Sequence, residues 1–384
     1  MSFASPSKAL HQQFENTTEK ATELDPRYAA AYASLGWTYY LECAWQWNPD
    51  PQGLERAFEL AQQAVALDDS SSYAHGLLGN VYMRKKQYEQ ALTEGERAII
   101  LDPNHAEAYV WLGNIMNLLG RPQEAAGLTE TALRLNPHSP SPYLSNLGWA
   151  YLLMGRSEEA IAALKQAVTR SPNYLDAHLL LANSYLQAWT LQWSQDPHTL
   201  ERAFESVQRA LALNDSYSYA HVMLGLIHLW NKQPEEAIAE GKQAMALNPN
   251  FAESYVALGQ ILAHTGRPQE AIGLIETAMR LNPRYPAIYS FNLGLAYNLT
   301  GQYEEAIATL KRALNDTPFD LGIHLNLAVA YSELGREEEA QAEAAEVLRL
   351  NPQFSLEVMR QRAPYTEPAV RERLLTALRK AGLK

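Results

Sequence analysis

Ten histidines and one cysteine are the residues that could bind a transition metal or carry acid–base and nucleophilic chemistry near neutral pH. Four of the histidines, His75, His178, His221 and His324, fall at one recurring place in an internal repeat, where other copies carry Tyr32, Tyr109 and Tyr255. A site that alternates between imidazole and phenol reads as a ring packed between helices. His221 and His228 share roughly one helix face, but no third ligand accompanies them. Cys43 stands alone, so it makes neither an internal disulfide nor a Cys-rich zinc site. The doublets Glu158-Glu159, Glu235-Glu236 and Glu304-Glu305 resemble the carboxylate pairs of acid–base catalysts. They recur where a helix begins, however, and a negative charge there gains about 0.3–1 kcal/mol from the helix dipole. No GxxxxGK[ST], HExxH, GxSxG or EF-hand pattern occurs. The expectation is a protein that is not an enzyme and has no metal and no cofactor.

The elements that position these residues follow from self-similarity. Gly120-Arg121-Pro122-Gln123-Glu124-Ala125 returns 146 residues later as Gly266-Arg267-Pro268-Gln269-Glu270-Ala271. The same offset links Leu54-Glu55-Arg56-Ala57-Phe58-Glu59 to Leu200-Glu201-Arg202-Ala203-Phe204-Glu205. A shorter period lies inside this block. Turn residues Pro26, Asp69, Pro103, Pro137, Pro172, Asp215, Pro249, Pro283, Pro318 and Pro352 are mostly 34 or 35 residues apart, with two intervals of 43. Between them, apolar residues recur at three- and four-residue spacing, the pattern of amphipathic helices. Gly120, Gly155, Gly266, Gly301 and Gly335 mark the turn inside a unit, and Pro122 and Pro268 suit the first turn of the next helix.

A 34-residue helix–turn–helix unit with Tyr109, Leu112, Gly113, Ala125, Ala132 and Pro137 resembles the tetratricopeptide repeat (TPR). The unit with Tyr255, Leu258, Gly259, Ala271, Ala278 and Pro283 repeats the pattern. The resemblance implies an all-α, right-handed TPR solenoid of about nine units. Residues 1–25 would form an N-terminal capping helix and 26–352 the nine units, with four-unit blocks at 26–172 and 173–318 and one unit at 319–352. Residues 353–384 would be capping helices, with Phe354, Leu374, Leu375 and Leu378 covering the last unit. In that family the first helix of each unit lines a concave groove that holds extended peptides. Carried over, the groove residues are Trp37, Tyr40, Tyr73, Asn80, Asn114, Trp149, Asn183, Tyr219, Leu226, Trp230, Gln260 and Phe291. Asparagine amides satisfy a partner's backbone, and aromatic rings give it anchoring area. The alternative for the rings is burial within the protein or in a homo-oligomer. The carboxylate-binding chaperone subclass of the family does not fit. Asn114 and Asn146 match its asparagines, but Val110, Asp176 and Leu180 stand where it has cations.

The departures from the repeat are expectations as well. Asp69 and Asp215 in place of the closing proline imply looser turns. The extra residues of the long units fall at Ala44-Trp45-Gln46-Trp47-Asn48-Pro49-Asp50-Pro51 and Leu191-Gln192-Trp193-Ser194-Gln195-Asp196-Pro197. There the first helix should run on through the aromatics until Asn/Asp-Pro breaks it. Trp47 and Trp193 either project as docking knobs or fold back onto a neighbouring helix. The Trp-bearing insert and the tail are similar in arrangement to the TPR regions of bacterial class III adenylate cyclases and related regulators. That likeness implies a regulatory segment without its effector domain as the alternative to a protein-binding scaffold. A net charge of −12 repels nucleic acid and anionic membranes. No apolar run approaches a membrane span and no signal-peptide pattern opens the chain, so the expected place is the cytoplasm. The partner is a protein or peptide.

Overall fold

The computed structural model describes residues 8–45, 52–138, 140–317 and 319–384; Trp47 lies outside them. Among the described residues it has 21 helices and no strand. Helix α1 (Lys8–Leu24) precedes nine helical hairpins. Four are α2–α3 (Ala29–Trp45, Gly53–Leu67), α4–α5 (Ser72–Arg84, Tyr88–Leu101), α6–α7 (Ala106–Leu118, Pro122–Leu135) and α8–α9 (Ser141–Leu153, Ser157–Arg170). The next four are α10–α11 (Leu175–Thr190, Thr199–Leu213), α12–α13 (Ser218–Trp230, Pro234–Leu247), α14–α15 (Ala252–His264, Pro268–Leu281) and α16–α17 (Ala287–Thr300, Tyr303–Asp316). The last is α18–α19 (Leu321–Glu333, Glu337–Leu350), followed by α20 (Leu356–Arg362) and α21 (Pro368–Lys380). The all-α solenoid expectation holds. No helix among the described residues is long and apolar enough to cross a membrane.

Each hairpin closes as its residues dictate. Gly120, Gly155, Gly266, Gly301 and Gly335 take φ between 71° and 83°, the left-handed state that ends the first helix. Lys86 and Lys232 carry the same burden at φ 59°, where the repeat lacks its glycine. Between the two helices, Gly148 touches Leu164 so closely that a Cβ would sit 2.6 Å from its Cγ, and Gly294 meets Leu310 at the same 2.6 Å. Five of the turns that close units are clamped from inside. Tyr109 Oη donates to Pro103 O at 3.0 Å and Tyr255 Oη to Pro249 O at 2.9 Å. Histidine does the same work: Nε2 of His75, His178 and His221 reaches the carbonyls of Asp69, Pro172 and Asp215 at 2.7–3.0 Å. The turns at Asp69 and Asp215 are therefore held like their proline counterparts and are not loosened. Three rings add a carboxylate on Nδ1: His75–Glu94, His221–Glu240 and His324–Glu343, all at 2.5–2.6 Å.

Packing divides the chain into two units, Met1–Leu180 and Leu181–Lys384, with the join inside α10. A core cluster of the first unit centres on Trp37, Tyr40, Leu77, Leu78, Val81 and Trp111. In the second unit, Phe354, Leu356, Leu374, Leu375 and Leu378 are buried in one cluster with residues of α17, α18 and α19. The tail is thus part of that unit's core.

Candidate polypeptide-binding face

In the first unit α2, α4, α6 and α8 pack in succession, and in the second α12, α14, α16 and α18 do; each row of first helices is here the A face. In the first unit its base is an aromatic cluster. Trp37, Tyr40, Tyr73 and Trp111 lie with ring centroids 4.9–5.9 Å apart. Burial pushes the Tyr73 hydroxyl up to about 12. Beside the cluster, Asn117 Nδ2 donates to Asn146 Oδ1 at 2.6 Å, and Asn146 Nδ2 donates to Val110 O at 2.8 Å. These buried amides tie α6 to α8. Asn146, which matches one asparagine of the carboxylate-binding subclass, is consumed by this tie.

Three of the twelve expected groove residues prove to be internal. Trp37, Tyr40 and Asn80 are buried, the asparagine with its Nδ2 on Gly76 O at 2.8 Å. Trp37 is covered by the Tyr73 and Trp111 rings of neighbouring helices, and Asn80 turns back onto a carbonyl of its own helix. Tyr73, Asn114 and Trp149 of the first unit, and Asn183, Tyr219, Leu226, Trp230, Gln260 and Phe291 of the second, are the remaining nine. Of these, Tyr73, Asn114, Trp149, Tyr219, Leu226, Trp230, Gln260 and Phe291 are half-buried, and Asn183 lies half-buried on α10. At the C-terminal ends of α6 and α8 the first unit exposes Leu118 by 49% and Leu153 by 47%.

Along the C-terminal ends of its first helices the second unit carries something that the repeat pattern did not announce: its own C-terminal segment. At the turn after α10, the Gln192 side-chain amide accepts from Ser355 N at 3.0 Å and donates to Ser355 O at 3.1 Å. Asn351 Nδ2 donates to Leu191 O at 3.0 Å. Arg362 lays its guanidinium over the Trp189 ring, 3.8 Å from the centroid, and donates to Trp189 O at 2.8 Å and Ser194 O at 3.1 Å. After α12, Lys232 Nζ donates to Gln361 O at 2.8 Å. At the end of α14, Tyr365 stacks on His264 at 4.8 Å, and Thr366 N donates to His264 O at 3.2 Å. Helix α21 then reaches α18. Burial lowers His264 to about 4 and raises the Tyr365 hydroxyl.

This also corrects the reading of the long unit. Helix α10 stops at Thr190, Gln192 takes φ 59°, and Trp193 sits half-buried beyond the helix. The turn is a receptacle for the tail, because its free carbonyls and the Gln192 amide are satisfied by Asn351, Ser355 and Arg362. The sequence signal for that docking was the tail's own polar set, Asn351, Ser355 and Arg362, which a search for apolar caps passes over.

Models of the tetratricopeptide repeat match residues 104–173 and 250–317, 297–357, and 79–120. No curated protein matches the chain. Among solved structures, a thermophilic TPR protein of Thermus thermophilus is 26% identical, over 53% of this chain and 99% of that one, with a TM-score of 0.44. The human IFIT1 dimer with m7Gppp-AAAA is 16% identical, over 90% of this chain and 77% of that one, with a TM-score of 0.57. At that identity the likeness concerns the fold alone. Family models and hairpin geometry agree, and the chain belongs to the tetratricopeptide-repeat family.

Proposed function

We propose that the chain is a protein-binding scaffold that holds a polypeptide segment on its A face, and that the first unit offers the open copy of that face. Mediating protein–protein interaction is the general role of TPR proteins. One observation supports the finer reading: the C-terminal ends of the second unit's first helices carry a polypeptide, the chain's own residues 355–366. They do so through helix-end carbonyls, one amide–backbone pair and one ring stack. Backbone pairing of this kind is a general means of binding an extended peptide. In the first unit, half-buried Tyr73, Asn114 and Trp149 and exposed Leu118 and Leu153 remain for a segment from another molecule. The net charge of −12 favours a protein over the capped RNA carried by the human IFIT1 structure. A regulatory role beside a signalling enzyme or transcription regulator would place the same demand on this face.

The test is selection of peptides from a displayed random library against the full chain, with single-stranded RNA offered in parallel. Selected peptides should lose binding to a Trp149→Ala, Leu118→Ser variant that keeps its melting temperature. Peptides that bind this variant undiminished, or RNA binding in place of peptide binding, would remove the reading.

A further inference from the structure

The 146-residue register makes two clefts comparable, one in each unit. In the first, α3 presents Glu55 and Phe58, α4 presents Tyr82, and Lys85 follows α4. Lys85 Nζ lies 4.3 Å from the centroid of the Phe58 ring and 2.5 Å from Glu55 Oε2. Tyr82 stands edge-on to Phe58 at 5.4 Å and 66°. An ammonium between a carboxylate and the face of an aromatic ring gains both a charge-assisted hydrogen bond and a cation–π contact. This cleft is filled by the chain's own lysine.

The second unit keeps the box and changes the occupant. Glu201, Phe204 and His228 stand where Glu55, Phe58 and Tyr82 do, and Phe204 meets His228 edge-on at 5.8 Å and 72°. The residue in the place of Lys85 is Asn231, which is shorter and uncharged. What remains is a cleft of about 420 Å³ lined by Glu201, Phe204, His228, Asn231 and Gln233. Trp189 forms a further wall, in the place of the first unit's Cys43. A water molecule's share of liquid is about 30 Å³, so the cleft admits a side chain. Arg362, which covers the Trp189 ring, is committed to the carbonyls of Trp189 and Ser194 and does not line the cleft. Glu201 sits at the rim beside exposed His198, 2.9 Å away, where it can turn to an incoming cation.

We propose that this cleft binds the ε-ammonium of a lysine on a partner polypeptide, with Glu201 as counter-ion and Phe204 as the aromatic floor. The first unit shows the bound arrangement in cis. The second takes it in trans because Asn231 leaves the place open. The site lies between α11 and α12 and stands whether or not the first unit's A face binds a peptide.

The experiment uses the full chain with its tryptophan indoles labelled, the Trp189 resonance being assigned from Trp189→Phe. The probe is the tripeptide acetyl-Gly-Lys-Gly-amide. It should shift the Trp189 indole saturably, and its Nε-acetylated form should not. Asn231→Lys, which restores an internal ammonium, should abolish the response at an unchanged melting temperature. Phe204→Leu should weaken it about 2–5-fold, the worth of one exposed cation–π contact. An equal response to the acetylated peptide, an Asn231→Lys chain that responds like the wild type, or no response at all would overturn the proposal. So would n-butylammonium binding as tightly as the tripeptide, because the cleft would then take free amines rather than a polypeptide's lysine.

Discussion

At position 118 the first unit exposes a leucine; 146 residues later the second buries His264 beneath Tyr365. Leu153 and Leu299 differ in the same sense, exposed in one unit and half-buried in the other. The hairpins beneath are the same, down to Gly148 on Leu164 and Gly294 on Leu310. A repeat therefore transmits a wall but not its cover. The cover comes from a stretch of chain outside the repeats. Its removal should hurt only the unit it serves. Leu378, fully buried in a cluster with residues of α18, is the sharpest point of attack. Leu378→Ala should cost about 2–5 kcal/mol, the usual range for a large-to-small change in a core. In denaturant melts read by hydrogen exchange, the loss should fall on Leu181–Lys384 and spare Met1–Leu180. A cost spread evenly over both units would break the comparison.

Acid should separate the units next. His264 is held at about 4 by burial, against an ordinary value near 6.5. Its fold-stabilised form is neutral, so the stability it supports is complete above about pH 6.5 and is lost as pH falls toward 4. The full loss is about 3 kcal/mol. The first unit has Leu118 at this place and no such dependence. Melting temperature against pH should therefore slope more steeply for wild type than for His264→Leu over this window. Parallel slopes would mean that the tail shields His264 less than its burial indicates.

The cores differ in a compensated way. In the first unit Gly76 faces Trp111, and a Cβ at Gly76 would lie 2.2 Å from the indole ring. In the second the same two places hold Val222 and Ala257, packed in one cluster. Volume moved from one partner to the other. Gly76→Val alone should cost about 1–3 kcal/mol by overpacking. Trp111→Ala has its own cost as a core truncation, but in that background Gly76→Val should cost much less than it does alone, a coupling that a chemical-denaturation double-mutant cycle would show.

How much of this was legible in the chain follows from the range of each signal. The nine hairpins were, because glycine turns, small interhelical residues and amphipathic spacing all act within one unit. The turn clamps were half legible. A ring alternating between His and Tyr was read as packing, but its hydrogen bond six residues back, and a glutamate 19 residues ahead of three of the histidines, were not used. For Trp37 and Tyr40 the sequence leaves groove and burial both open, because the outcome depends on which ring a neighbouring helix supplies. The tail's path was missed because Gln192 meets Ser355 across 163 residues, and no periodicity reports on a contact of that range.

The smallest expected effect on stability is the one that bears most on function. Leu118 and Leu153 are about half exposed, so little apolar area leaves water when the unit folds around them. Replacing both by serine should change the unfolding free energy of the first unit by under about 0.5 kcal/mol per site. If a partner segment lies there as the tail lies on the second unit, each leucine is covered in the complex. Affinity for a library-selected peptide should then fall by at least several-fold, read by fluorescence anisotropy on the full chain. The matched change in the second unit, Leu299→Ser, should do the reverse and lower stability while leaving that peptide's affinity alone. A peptide that responds to Leu299→Ser and ignores Leu118 and Leu153 would assign the open face to the other unit.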